Sequence, residues 1–181
     1  MFGLFKKKLA SSSTADKTSM ASSSDRIARL FALYEECSRD ITDQYAGFEQ
    51  HKPAEIRLFA ISANSMFVQA LGALPEDEMR DVVEKFVDYC ITDLLRYMPS
   101  ADYALVYHAF SLRFPEYAPL IVGLHNAEAS DANQDAGMSL VMAMDHHFGV
   151  ERGAFEASIA GMALSLRLAE LAVEVSKAAR A

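Results

Sequence analysis

Residues 79–98 read MRDVVEKFVDYCITDLLRYM. Met79, Val82, Val83, Phe86, Val87, Cys90, Ile91, Leu94, Leu95 and Met98 advance by alternating steps of three and one. That spacing lines one face of an α-helix, with Glu84, Lys85, Asp88 and Asp93 on the other side. The same rhythm recurs along the chain, and no strand-like alternation of useful length accompanies it. The expected fold is all-α. A single compact domain of six or seven helices, bundle-like or an orthogonal array, should span residues 25–181 after a disordered arm at 1–24.

Punctuation residues divide the remainder into helical segments. The first, about 25–48, carries Ile27, Leu30, Phe31, Tyr34, Ile41, Tyr45 and Phe48. The second, 53–71, has Pro53 at its first turn and Gly72 as a left-handed C-terminal cap. The 18 residues from Leu58 to Pro75 are uncharged but include Ser62, Asn64, Ser65 and Gln69, which predicts a buried core helix rather than a membrane span. The third runs from Pro75 to about Arg96. Ser100 should cap a fourth at 101–113, Pro115 and Pro119 should bracket a turn, and a short fifth should follow at 119–126. The last two are 131–148, frayed at its start by Gly137, and 152–178. In the latter, Gly153, Ala157, Ala160 and Gly161 allow close helix approach, and Arg167, Glu170, Glu174 and Lys177 form a solvated stripe. The second, third and last segments should make the centre.

The chain has 181 residues and a formal net charge of −8. Residues 1–24 hold four lysines and one acid, leaving 13 basic against 24 acidic residues and a net −11 for the rest. A body that acidic repels phosphate backbones, so nucleic acid is not an expected partner. Cys37 and Cys90 lie on or beside apolar stripes, and two cysteines are too few for a disulfide framework. They read as buried thiols of a reducing compartment, and the expected location is cytoplasmic.

The opening nine residues, MFGLFKKKL, are too short and too charged for a secretory signal. N-myristoylation needs glycine after Met1, where Phe2 stands. Phe2, Leu4 and Phe5 with Lys6, Lys7 and Lys8 form an apolar-basic segment suited to weak, reversible contact with an anionic membrane or a partner. It resembles the openings of some bacterial membrane-associated proteins, among them the signal-recognition-particle receptor, over fewer than ten residues. That resemblance implies peripheral membrane tethering and nothing for residues 25–181. The serine-rich stretch at 10–24 also fits the export signal of a secreted effector.

Catalytic and cofactor motifs are missing from the sequence. There is neither a phosphate-binding glycine loop nor a nucleophile elbow, and the strands both need are not expected. Cys37 sits beside Glu35 and Glu36, which disfavour a thiolate. A di-iron helical bundle needs Glu-x-x-His pairs. The residues three before the five histidines are Phe48, Leu105, Val122, Ala143 and Met144. No cofactor is expected. The best remaining cluster for a metal, ligand or small helical enzyme is Asp145, His146, His147 and Glu151, with Asp131 and Asp135 one turn apart nearby. It requires those side chains to converge on one pocket.

Five of the seven tyrosines fall between Tyr89 and Tyr117. Tyr97, Tyr103, Tyr107, Phe110, Phe114 and Tyr117 form the expected interaction face, because tyrosine combines apolar area with a polar tip. The leading functional expectation is a non-enzymatic helical adaptor, regulator or accessory subunit that docks on a protein partner or on itself.

Overall fold

A computed structural model describes residues 12–48, 52–126 and 131–181, with side chains from residue 24 in the first helix and from 135 in the fifth. All regular structure among them is helical: α1 (Ser12–Tyr45), α2 (Pro53–Leu71), α3 (Glu76–Leu94), a 3₁₀ turn (Leu95–Tyr97), α4 (Tyr103–Asn126), α5 (Asp131–Phe148) and α6 (Ala154–Arg180). Among the described residues no helix is long and apolar enough to cross a membrane. The expected tether residues Phe2, Leu4, Phe5, Lys6, Lys7 and Lys8 lie outside the described residues, as does His51. Asp25, the expected start of the domain, lies inside α1 rather than at a helix boundary.

The centre is α2, which packs against all five other helices. Every residue from Leu58 to Val68 is buried. That accounts for its uncharged run: a helix enclosed on all sides has no face for charge. Its polar residues do not form a network. Ser62 Oγ donates to Leu58 O at 2.8 Å and Asn64 Nδ2 to Ala60 O at 2.9 Å, each one turn back on the same helix. The expected three-helix centre is therefore too broad, since α3 packs chiefly on α1 and α2 and lies to one side of α6.

Two expected helices are one. Pro115 and Pro119 lie inside α4. Proline in a helix interior costs a hydrogen bond and crowds the carbonyl four residues back. Here both prolines and Ser111 are exposed, so the carbonyls that lose partners, those of Ser111 and Pro115, face solvent. Meanwhile Val106, Phe110, Tyr117, Ile121 and Leu124 keep one buried stripe in phase across both prolines. Packing that stripe on α2 outweighs the local preference to break. The cap also differs from expectation, because Asp102 Oδ1, not Ser100, accepts from the Leu105 amide at 2.8 Å.

The turn after α2 carries local strain. Gly72 is right-handed at φ −61°, and it is Ala73 that takes the left-handed conformation at φ 51°. A non-glycine residue there brings Cβ against the backbone. Ala73 is exposed, so its methyl adds little packing. Ala73→Gly is expected to raise stability by about 0.5–1 kcal/mol, read as a higher urea midpoint at unchanged m-value. A lower midpoint would show that the turn is not left-handed. Gly149, by contrast, ends α5 as expected at φ 75°. The amide of Val150 then returns to Asp145 O at 2.9 Å, closing a Schellman turn.

Gly137 does not fray α5. A Cβ built on it would lie 2.8 Å from Gly161 O, and one on Gly161 would lie 2.7 Å from Gly137 C and from Met138 N. The two glycines let α5 and α6 touch backbone to backbone. On its other flank α6 is clamped to α1: Arg167 Nη2 reaches Glu36 at 2.7 Å and also bonds Asp40. Arg167 is thus an interhelical clamp rather than part of a solvated stripe.

Candidate functional site

The expected aromatic face divides between core and surface. Tyr117 is fully buried and Phe110 is 9% exposed. Phe114 is half-buried against Phe110, ring centroids 5.6 Å apart. Tyr103 and Tyr107 are exposed and stacked at 6.0 Å. The reason is helical phase. Phe110 and Tyr117 point at α2, where Tyr117 meets Phe59 edge-on at 5.1 Å, whereas Tyr103 and Tyr107 begin α4 on the outer side.

Tyr97 belongs to a different feature, a cleft of about 530 Å³ between α1 and α3. Phe31, Tyr89 and Tyr97 supply its aromatic walls, and Glu35, Asp88 and Asp93 its carboxylates. Three of its lining residues, Glu35, Asp93 and Tyr97, are held by Arg57 of α2, which does not itself line the cleft. Arg57 Nη1 lies 2.9 Å from each of the Tyr34 hydroxyl, Glu35 Oε1 and Asp93 Oδ2. The guanidinium carbon sits 4.0 Å from the Tyr97 ring centroid. Asp93, expected on the solvent side of α3, is buried because it is drawn to this guanidinium. The one cation of an otherwise largely apolar helix was the signal for this hub. A cation so placed must find carboxylates, since an unpaired buried charge is prohibitively costly. Burial raises the Tyr34 hydroxyl well above its usual range, so it holds its proton.

The expected metal or ligand cluster does not converge. Asp145 turns inward, accepting from the Tyr45 hydroxyl at 2.6 Å and pairing with Arg152 Nε at 3.0 Å. His147 turns toward α4 and meets Glu116 at 2.7 Å. His146 and Glu151 are exposed. Among the described residues, no group of three His, Cys, Asp or Glu side chains could hold a metal ion. The Asp131 side chain lies outside those described, and Asp135 is exposed. What the region builds is a structural pin: the Asp145–Arg152 pair, with Arg152 also 4.9 Å from the Tyr45 ring and 4.8 Å from the Phe48 ring. Neither thiol is poised for chemistry either. Burial pushes Cys37 up to about 12 and Cys90 well above the usual thiol range.

His147 has a predictable acid response. Burial and then the nearby Arg113 lower its pKa below 6.5, against the opposing pull of Glu116. The unfolded chain therefore takes up the proton first. Stability should fall as pH drops through 6.5 toward the lowered value, by at most about 1.4 kcal/mol per pH unit. His147→Gln removes the titration. Urea midpoints between pH 7.5 and 5 should fall more steeply for the natural chain than for the variant; parallel profiles would exclude the effect.

Among the described residues a line of exposed apolar side chains runs along α6, where sequence reasoning did not place it. Phe155 (77% exposed), Ile159, Met162, Leu166 (71% exposed) and Val173 all face outward. With exposed Ala169 they advance by four and three in turn over five steps. That is the spacing of a helix seam with a helical partner. The ridge was legible in principle, because α6 carries two apolar stripes. Its core-facing stripe is Ala157, Gly161, Leu164, Leu168, Leu171 and Val175. The smallest of those residues press on α5, which leaves larger ones outside.

No protein-family model matches the chain, and no curated protein or solved structure shows significant similarity to it.

Proposed function

We propose that the protein acts by helix-mediated protein–protein contact, as an adaptor, regulator or accessory subunit, and that the apolar ridge of α6 is its principal docking surface. The ridge carries this reading. Five large apolar side chains stand on one line of a 27-residue helix, each between 47% and 77% exposed. At about 100 Å² apiece they present on the order of 500 Å², which matches the largest patches that monomers expose and that commonly serve binding. Phe155 and Leu166 protrude most and are the expected anchors. Exposed and stacked Tyr103 and Tyr107 offer a smaller second surface at the start of α4, and Tyr97 lies apart from them in the α1–α3 cleft.

A photo-crosslinking residue at position 166 tests this in cells that make the protein. Ridge docking predicts discrete protein adducts from position 166 and few from position 84, an exposed site on α3. Equal adduct formation from both positions, or none from position 166, would refute it.

A further inference from the structure

We infer that the occupant of the α6 ridge is a second copy of this chain, with the two α6 helices antiparallel about a two-fold axis level with Leu164. This rests on the reading of the ridge as a docking surface and adds the identity of the partner.

The argument is self-complementarity. A two-fold interface uses one patch twice, so the patch must be its own complement. Reversing the ridge upon itself about Leu164 places Phe155 level with Val173 of the second copy. Ile159 then meets Ala169, and Met162 meets Leu166. Within two of the three layers a large side chain faces a smaller one, and the central layer joins two of middling size. That is how a seam fills without voids. Ala163, exposed beside the centre of the ridge, leaves room for close approach. A parallel pair would instead set Phe155 on Phe155 and Ala169 on Ala169, overfilling one end and hollowing the other.

Charge points the same way. Glu151 and Glu156 are exposed at the start of the ridge, and its end carries exposed Lys177 and Arg180 beside exposed Glu170 and Glu174, the latter 2.7 Å from Lys177 Nζ. The antiparallel arrangement brings Glu151 level with Lys177 of the second copy and opposes the two helix dipoles favourably. Its like-charge approaches are Glu156 toward Glu170 and Glu174; Glu170 accepts from Arg167 Nη1 at 3.0 Å and Glu174 from Lys177 Nζ at 2.7 Å. The ridge alone supplies on the order of 500 Å² of the roughly 800 Å² per partner that a standard interface buries, and its polar flanks would supply the rest.

Sedimentation equilibrium on the full chain is the test. The expected mass is twice the 19.9 kDa of one chain, and Leu166→Glu should halve it while leaving the helical circular-dichroism signal unchanged. Leu166→Gln, which adds no charge, should weaken the dimer in the same direction. For orientation, Phe155→Cys chains are mixed with Val173→Cys chains and oxidised. Cys37 and Cys90 are buried and do not compete. A predominance of the mixed disulfide supports the antiparallel pair, whereas a predominance of the two like-with-like disulfides overturns it. A natural chain that stays monomeric at every concentration overturns the second copy as occupant. If position 166 then still crosslinks to a protein of another mass, the docking surface stands and only its occupant changes; if it crosslinks to nothing, both readings fall.

Discussion

Replacing Arg57 with alanine is expected to destabilise the protein by about 3 kcal/mol, since truncating one member of a buried ion pair strands the other. Asp93 bears most of the loss. Its side chain is 9% exposed, and its other cationic contact is Arg96, 3.4 Å away on a side chain that is 77% exposed. Glu35 is 35% exposed and recovers much of its hydration, so its share is discounted. The Tyr34 hydroxyl loses a donor and Tyr97 loses the cation beneath its ring. Arg57→Met should cost nearly as much, because it too leaves Asp93 unpaired. Adding Asp93→Leu to Arg57→Met should return a large part of the loss, since removing both charges removes the desolvation cost. Urea denaturation followed at 222 nm checks all three chains. An Arg57→Ala loss under 1 kcal/mol would mean that this hub does not hold α1, α2 and α3 together.

The second large effect concerns one methyl group. Gly161→Ala is expected to destabilise by about 2 kcal/mol despite the better helix propensity of alanine, because the new Cβ meets backbone rather than a side chain able to rotate away. It would lie 2.7 Å from Gly137 C and from Met138 N, so α5 and α6 must separate along their contact. Gly123 provides the control. It lies in α4 with nothing within 4 Å of an added Cβ, and Gly123→Ala should stabilise by about 0.5 kcal/mol. The same substitution should thus move the melting temperature in opposite directions at the two sites. A stabilising Gly161→Ala would show that the helices do not touch there.

The second effect bears on the proposed surface. Arg167 and Gly161 fix α6 against α1 and α5, and that fixing decides which of its two apolar stripes is left outside. A variant that loosens α5 from α6 should disturb self-association indirectly, whereas Leu166→Glu should do so with the fold intact.

Local signals in the sequence determined the helical class and several boundaries. The alternating steps of three and one over 79–98 depend only on helical geometry, and Pro53, Leu71, Phe148 and Gly149 mark ends that the structure keeps. The uncharged run of α2 determined that this helix is enclosed. The tertiary structure alone decided the rest, because each remaining question turns on a partner distant in the chain. Continuity through Pro115 and Pro119 came from the α2 surface beneath α4, and the burial of Asp93 from Arg57, 36 residues away. Asp145 was drawn to Tyr45, 100 residues away, which dispersed the histidine cluster. The outward stripe of α6 was settled in the same way. Periodicity reports that a face is apolar, but which of two apolar faces meets water is fixed by the shape of the neighbours, and Gly137 admits the small face of α6 and leaves the large one exposed.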